Sequence, residues 1–129
     1  MSRLSVFVVE DSETIRQNLV ATLEEMAPVQ VVGHAEDAKG AIARLAQDPP
    51  PCELAIIDVL LRRGSGIEVL AALRARRTRP RCVVLTNYAT PLIREHCLAL
   101  GAERVFDKSA EIERLLEYCE TLARARTHT

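Results

Sequence analysis

Short apolar runs alternate along the chain with stretches of helical period, five times over. Leu4–Val9, Leu54–Ile57 and Cys82–Leu85 are near-continuous hydrophobic runs, the pattern of parallel strands covered on both faces. Val29–Val32 carries Gln30, and Val105–Phe106 after Gly101 is very short, so these two suit the edges of a sheet. Between the runs lie stripes at helical spacing. The first is Ile15, Leu19, Leu23 and Met26; the second Ala38, Ala41, Ile42 and Leu45; the third Ile67, Leu70 and Leu73. Thr90-Pro91 supplies a cap and a first-turn proline for a helix running to Leu100 and closed by Gly101. Ser109 is expected to open the last helix, whose inward face is Ile112, Leu115, Leu116, Cys119 and Leu122.

Strands alternating with helices need right-handed crossovers and give an open parallel sheet between two helical layers. The expected fold is therefore α/β, a three-layer doubly wound sheet of five strands, (βα)5. A length of 129 residues suits one domain over 1–129, with its core from about residue 4 to 122. Pro49-Pro50-Pro51 is expected to be a rigid surface connection.

Composition narrows the function by exclusion. A net charge of −1 argues against a protein that holds nucleic acid or membrane by bulk electrostatics. Two Tyr, two Phe and no Trp leave little for base stacking. The five arginines of Arg74–Arg81 have no aromatics among them and are expected to be the solvated end of the third helix. Cys52, Cys82, Cys97 and Cys119 form no Cys-x-x-Cys pair and share no ligand spacing with His34, His96 or His128, so they are expected to be small buried hydrophobes. The sequence from Met1 enters an apolar run at once, without a signal-peptide pattern, and no stretch reaches membrane-spanning length. A cytoplasmic, reduced protein is the expectation.

In open α/β sheets, ligands bind beyond the carboxyl ends of the strands. Glu10 and Asp11 follow the first run, Asp58 the third, Thr86 the fourth and Lys108 the fifth. Singly, each could be a cap or a solvated strand end. Jointly, three carboxylates would crowd one rim, and two charges about 4 Å apart repel by roughly 4 kcal/mol at an effective dielectric near 20. Such crowding calls for a cation. Oxygen-only donors select a hard one, and Mg²⁺ suits them, with Mn²⁺ as the alternative. Lysine occurs only at Lys39 and Lys108 against fifteen arginines, and an ammonium suits a single phosphoryl oxygen better than a planar guanidinium does.

These segments together carry a resemblance. Val-Val-Glu10-Asp11-Ser, Ile-Ile-Asp58-Val-Leu-Leu-Arg-Arg-Gly64-Ser65-Gly66, Val-Val-Leu-Thr86-Asn and Gly101-Ala-Glu-Arg-Val-Phe-Asp-Lys108-Ser109 resemble the receiver domain of bacterial two-component response regulators, from Leu4 to about Leu122. The resemblance implies a flavodoxin-like sheet of order 2-1-3-4-5, an order for which a receiver is a standard example. It implies Asp58 as phosphoacceptor, Thr86 as hydrogen-bond partner of the phosphoryl group and Lys108 as its counter-charge. It further implies metal binding by Glu10, Asp11, Asp58 and the backbone carbonyl of Leu60. The donor would be a sensor histidine kinase or a phosphotransfer protein. Output would pass to a protein target through the face of helix four, strand five and helix five, with no direct nucleic-acid or membrane contact and a homodimer left open. The chain would be a signalling domain rather than an enzyme, with at most slow self-dephosphorylation.

Three departures from the family pattern involve four positions. Val105 stands where an aromatic is usual, with Phe106 expected on the opposite face of the strand. Ser109 replaces a proline, so a trans Lys108–Ser109 bond is expected. Leu60 and Tyr88 are bulky where water must approach. Other readings remain beside the receiver: a Mg²⁺ phosphohydrolase, which would want a second carboxylate at position 60; a phosphorylation-independent scaffold; a flavin carrier; and a fragment of a longer regulator. If the chain is complete, with only Ala123–Thr129 after the last stripe, its output would be binding another protein.

Overall fold

The structure, a computed structural model, describes residues 3–126; Met1, Ser2 and the tail with His128 lie outside the described residues. The elements run β1 (Leu4–Val9), α1 (Glu13–Met26), β2 (Val29–Ala35), α2 (Ala38–Leu45), β3 (Leu54–Ile57), α3 (Gly66–Arg74), β4 (Arg81–Thr86), α4 (Pro91–Ala99), β5 (Val105–Asp107) and α5 (Ile112–Arg126). All strand pairs are parallel, in the order β2-β1-β3-β4-β5, the flavodoxin-like arrangement expected.

Strand alternation sends side chains into two cores. Val6, Val8, Ile56, Val83, Leu85 and Phe106 meet α1 and α5. Phe7, Val9, Ala55, Ile57, Val84 and Val105 meet α2, α3 and α4. Val105 and Phe106 thus point to opposite layers, as expected. The four cysteines are buried and unpaired. Burial pushes the Cys52, Cys82 and Cys119 thiols up to about 12, which leaves them unreactive.

Four expectations need correction. β2 continues to Ala35, three residues past Val32, because Gly33 and His34 pair with Phe7 and Val8 although neither is a typical strand former. α1 is turned from the expected stripe: Arg16, Leu19 and Leu23 are buried, while Ile15 is 40% and Met26 65% exposed. α5 starts at Ile112 rather than Ser109, since the Asp107 carboxylate accepts from the Ser109 and Ala110 N–H groups (2.8 and 3.0 Å) and holds a turn there. Ala123, which the expected stripe omitted, completes the buried face of α5, with Leu122 packed partly buried against the same core. α4 begins as expected, with Thr90 Oγ1 accepting from Ile93 N at 3.2 Å, and ends at Ala99. The one cis peptide among the described residues is Asp48–Pro49, so Lys108–Ser109 is trans.

Two glycines shape the loop after β3. Gly64 has φ +79°, which disfavours any side chain. Gly66 lets α3 start against β3: a Cβ there would lie 2.1 Å from the Asp58 carbonyl oxygen. A Gly66→Ala variant is therefore expected to lose about 1–3 kcal/mol by overpacking. Urea unfolding of the variant checks this, and unchanged stability would mean the loop gives way freely.

Candidate functional site

β1 and β3 are adjacent and in register, Val9 opposite Ile57, so the residues that follow them emerge side by side. The Asp58 N–H donates to the Val9 carbonyl (3.0 Å) and the Glu10 N–H to the Ala35 carbonyl (3.1 Å), carrying sheet-like bonding past the strand ends. Lys108 arrives from the far edge of the sheet, its N–H donating to the Thr86 carbonyl at 3.0 Å. Its ammonium donates to Glu10 Oε1 at 2.5 Å and to Asp58 Oδ2 at 2.7 Å, and all three side chains are largely buried.

Burial alone would depress the Lys108 pKa, but the hydrogen bonds to Asp58 and Glu10 and their charges outweigh it and hold the ammonium above its ordinary value. It therefore stays protonated throughout the neutral range.

The other oxygens are also directed. Glu10 Oε2 accepts from Ser12 N (3.0 Å), and Asp58 Oδ1 takes a long bond from Leu60 N (3.4 Å). Thr86 is fully buried; its Oγ1 accepts from Tyr88 N at 3.2 Å, which leaves the hydroxyl proton available for donation. Leu60 and Tyr88 are 51% and 52% exposed.

The structure unites Glu10, Asp58 and Lys108, and places Thr86 beside Lys108. It does not form the expected crowd of three carboxylates: among the described residues no group of three acidic, His or Cys side chains encloses a metal position. Asp11 lies partly exposed at the rim with Glu36, Asp37, Arg62 and Arg63. The cation that bridges Glu10 and Asp58 is Lys108. One ammonium against two buried carboxylates, with Asp11 close along the chain, still leaves uncompensated negative charge. A hard divalent ion that keeps several waters fits an all-oxygen donor set of this kind.

Three contributors lay outside the sequence argument. Arg16 is buried, donates to the Glu10 carbonyl (3.3 Å) and pairs with Glu36 at 3.7 Å. Its spacing to Leu19 and Leu23 was a usable signal, because three and four fit a helix face as well as four and four. Arg94 and Glu111 pair at 2.6 Å behind β5, and only the folded chain brings them together.

Arg94 holds the Glu111 carboxylate below its ordinary value of 4.5. A depressed carboxylate contributes stability above its unfolded pKa and loses it as pH falls through the folded one. Glu111→Gln should accordingly be less stable than wild type near neutrality, with the gap closing in urea titrations taken below pH 4.5. A gap independent of pH would show that the charge contributes nothing.

No helix among the described residues is long and apolar enough to cross a membrane. The response regulator receiver domain family matches residues 6–120. The DNA-binding transcriptional activator DevR/DosR of Mycobacterium tuberculosis is 37% identical over 87 residues, 67% of this chain and 39% of that protein. A protein-glutamate methylesterase/protein-glutamine glutaminase of Pseudomonas savastanoi is 34% identical over 109 residues, 82% of this chain and 29% of that protein. The chain therefore spans well under half of the length of these two relatives. The response regulator domain of Thermotoga maritima CheB superposes with a TM-score of 0.80 at 22% identity, covering 92% of this chain and 95% of that one. Sequence and fold agree with the expected resemblance: the chain belongs to the response regulator receiver domain family, the signalling domains of two-component systems that interact with histidine kinases and downstream effectors.

Proposed function

We propose that Asp58 accepts the phosphoryl group and that Glu10, Asp11, Lys108 and Thr86 serve that step. The observation that carries this is the Lys108 ammonium shared between Glu10 and Asp58 at the carboxyl rim of the sheet. An Asp58 oxygen attacks phosphorus as the bond from phosphorus to the donor's imidazole nitrogen breaks, and the imidazole leaves with the electron pair. Lys108 then meets the added negative charge, and the Thr86 hydroxyl donates its free proton to a phosphoryl oxygen. Glu10, Asp11, Asp58 and the Leu60 carbonyl would hold Mg²⁺ or Mn²⁺. When bound, the ion supplies charge neutralisation at the phosphoryl oxygens.

The donor is a sensor histidine kinase or a phosphotransfer protein, and the working unit is the single domain, with residues 4–122 as its core. Output passes to a protein target through the face of α4, β5 and α5. Leu92 and Leu98 of α4 are exposed, and Leu98 lines a groove with Arg94, Val105, Tyr118 and Leu122. Incubation with Mg²⁺ and acetyl phosphate followed by intact-mass measurement tests the acceptor step. A stoichiometric adduct supports it. No adduct from this or a phosphohistidine donor favours a phosphorylation-independent scaffold, and multiple turnover of phosphate esters favours a hydrolase.

Leu60 and Tyr88 should slow hydrolysis of the phospho-Asp58 form by limiting the approach of water. Leu60→Asn and Tyr88→Ala are expected to lose the adduct about tenfold faster, a barrier change of about 1.4 kcal/mol. An unchanged decay rate in both variants would assign these side chains no shielding role.

A further inference from the structure

Behind β5 the hydrogen bonds close into a ring that starts and ends at Thr86. Its Oγ1 accepts from Tyr88 N at 3.2 Å. One residue further along the loop, the Ala89 carbonyl accepts from Arg94 Nε at 3.0 Å, while that of Tyr88 accepts from Thr90 N. Arg94 Nη1 donates to the Val105 carbonyl (2.8 Å) and Nη2 to Glu111 Oε1 (2.6 Å). Glu111 Oε1 also accepts from Asp107 N at 2.9 Å, and the following residue, Lys108, returns to the Thr86 carbonyl at 3.0 Å. One guanidinium thus spends three donors on three segments: the β4–α4 loop, β5 and the start of α5. Only a planar fork can do that; an ammonium has the charge but not the geometry.

We propose that Arg94 is the positioning residue that carries the state of Asp58 to the α4–β5–α5 face, by coupling the β4–α4 loop to β5 through this ring. The proposal rests on Asp58 being the phosphoacceptor. Both contacts between the ring and the site involve groups that phosphorylation engages. A phosphoryl group adds roughly −1.5 to −2 charges. It draws the Lys108 ammonium from its present pair of carboxylates and recruits the Thr86 hydroxyl, whose oxygen now holds Tyr88 N. A shift of Tyr88 moves the Ala89 carbonyl, and Arg94 transfers that displacement to Val105 and Glu111. Val105 is buried in the core and small, so its side chain has little freedom to report the change itself. Arg94 is about one-third exposed and lies in the groove of that face, where a partner would read its position.

Spatial continuity alone does not establish coupling, so the test measures it directly. Wild type, Arg94→Met, Arg94→Lys and Glu111→Gln are each loaded with acetyl phosphate and Mg²⁺. Adduct level is read by intact mass, and amide hydrogen exchange is read over residues 88–111. In wild type, phosphorylation should change exchange in this segment about tenfold. In Arg94→Met the adduct should form fully while the phosphorylation-dependent change falls below about twofold, with Arg94→Lys intermediate. A merely structural role would raise exchange in both states and leave their ratio intact; that result overturns the proposal. So does an adduct on wild type without any change in the segment, although Asp58 would stand. If Arg94→Met does not fold, Glu111→Gln decides by the same ratio. No adduct on wild type overturns the ring and the phosphoacceptor together.

Discussion

An Asp58→Asn variant is expected to take up no phosphoryl group from any donor while keeping the fold and most of the stability of the wild type. The carboxamide keeps the shape of the side chain but lacks the anionic nucleophile that forms an acyl phosphate. Lys108 still has Glu10 as a partner at 2.5 Å, so the change relieves a buried pair of like charges instead of orphaning a cation. Intact mass after incubation with acetyl phosphate and Mg²⁺ reads the first effect, and urea unfolding the second. An adduct on Asp58→Asn equal to that on wild type would move the acceptor elsewhere in the chain.

The second large effect is expected from Lys108→Met. Lys108 joins two carboxylates that follow β1 and β3, and all three groups are largely out of water. Removing one partner of a buried ionic cluster typically costs ~3–5 kcal/mol, because the remaining charge is uncompensated. Here two carboxylates would remain, facing each other. The loss should be largest without divalent ions and should shrink on adding Mg²⁺, which stabilises by binding the folded state alone. Adding Asp58→Asn should recover about 1 kcal/mol or more, since neighbouring charges are not additive. Urea midpoints of the three variants with and without Mg²⁺ make the measurement. A Lys108→Met protein as stable as wild type and indifferent to Mg²⁺ would contradict the charge balance proposed for this rim.

The elements with continuous apolar runs were the legible ones. β1 and β3 have the expected bounds, and Asp58 and Glu10 meet because the sheet order makes those strands neighbours. Length and pattern failed where a tertiary contact overrode local preference. Gly33 and His34 extend β2 only because Phe7 and Val8 supply the ladder. Arg16 is buried because the Glu10 carbonyl and Glu36 receive its guanidinium, a use of charge that the Ile15 stripe concealed.

At the site, the placing of Glu10, Asp58 and Lys108 on one rim was readable, but the bonds among them were not. The acidic residues called for a cation, and Lys108 was itself assigned a place at the rim. Nothing in the spacing says that its ammonium would bond Glu10 and Asp58 simultaneously, while Asp11 stays partly exposed with the neighbouring loops. The Arg94–Glu111 pair was hidden for a related reason. Its members lie seventeen positions apart, and their meeting point is defined by the Ala89 and Val105 carbonyls, which every sequence has.

The most direct measurement is the location of the phosphoryl group on the wild-type chain. After incubation with Mg²⁺ and a phosphohistidine donor, borohydride converts an acyl phosphate to the corresponding alcohol, and peptide sequencing by mass spectrometry reads its position. The geometry at the carboxyl rim predicts reduction at Asp58 alone. Reduction at Asp11 or Glu10, or none anywhere in a chain that the donor does phosphorylate, would contradict it.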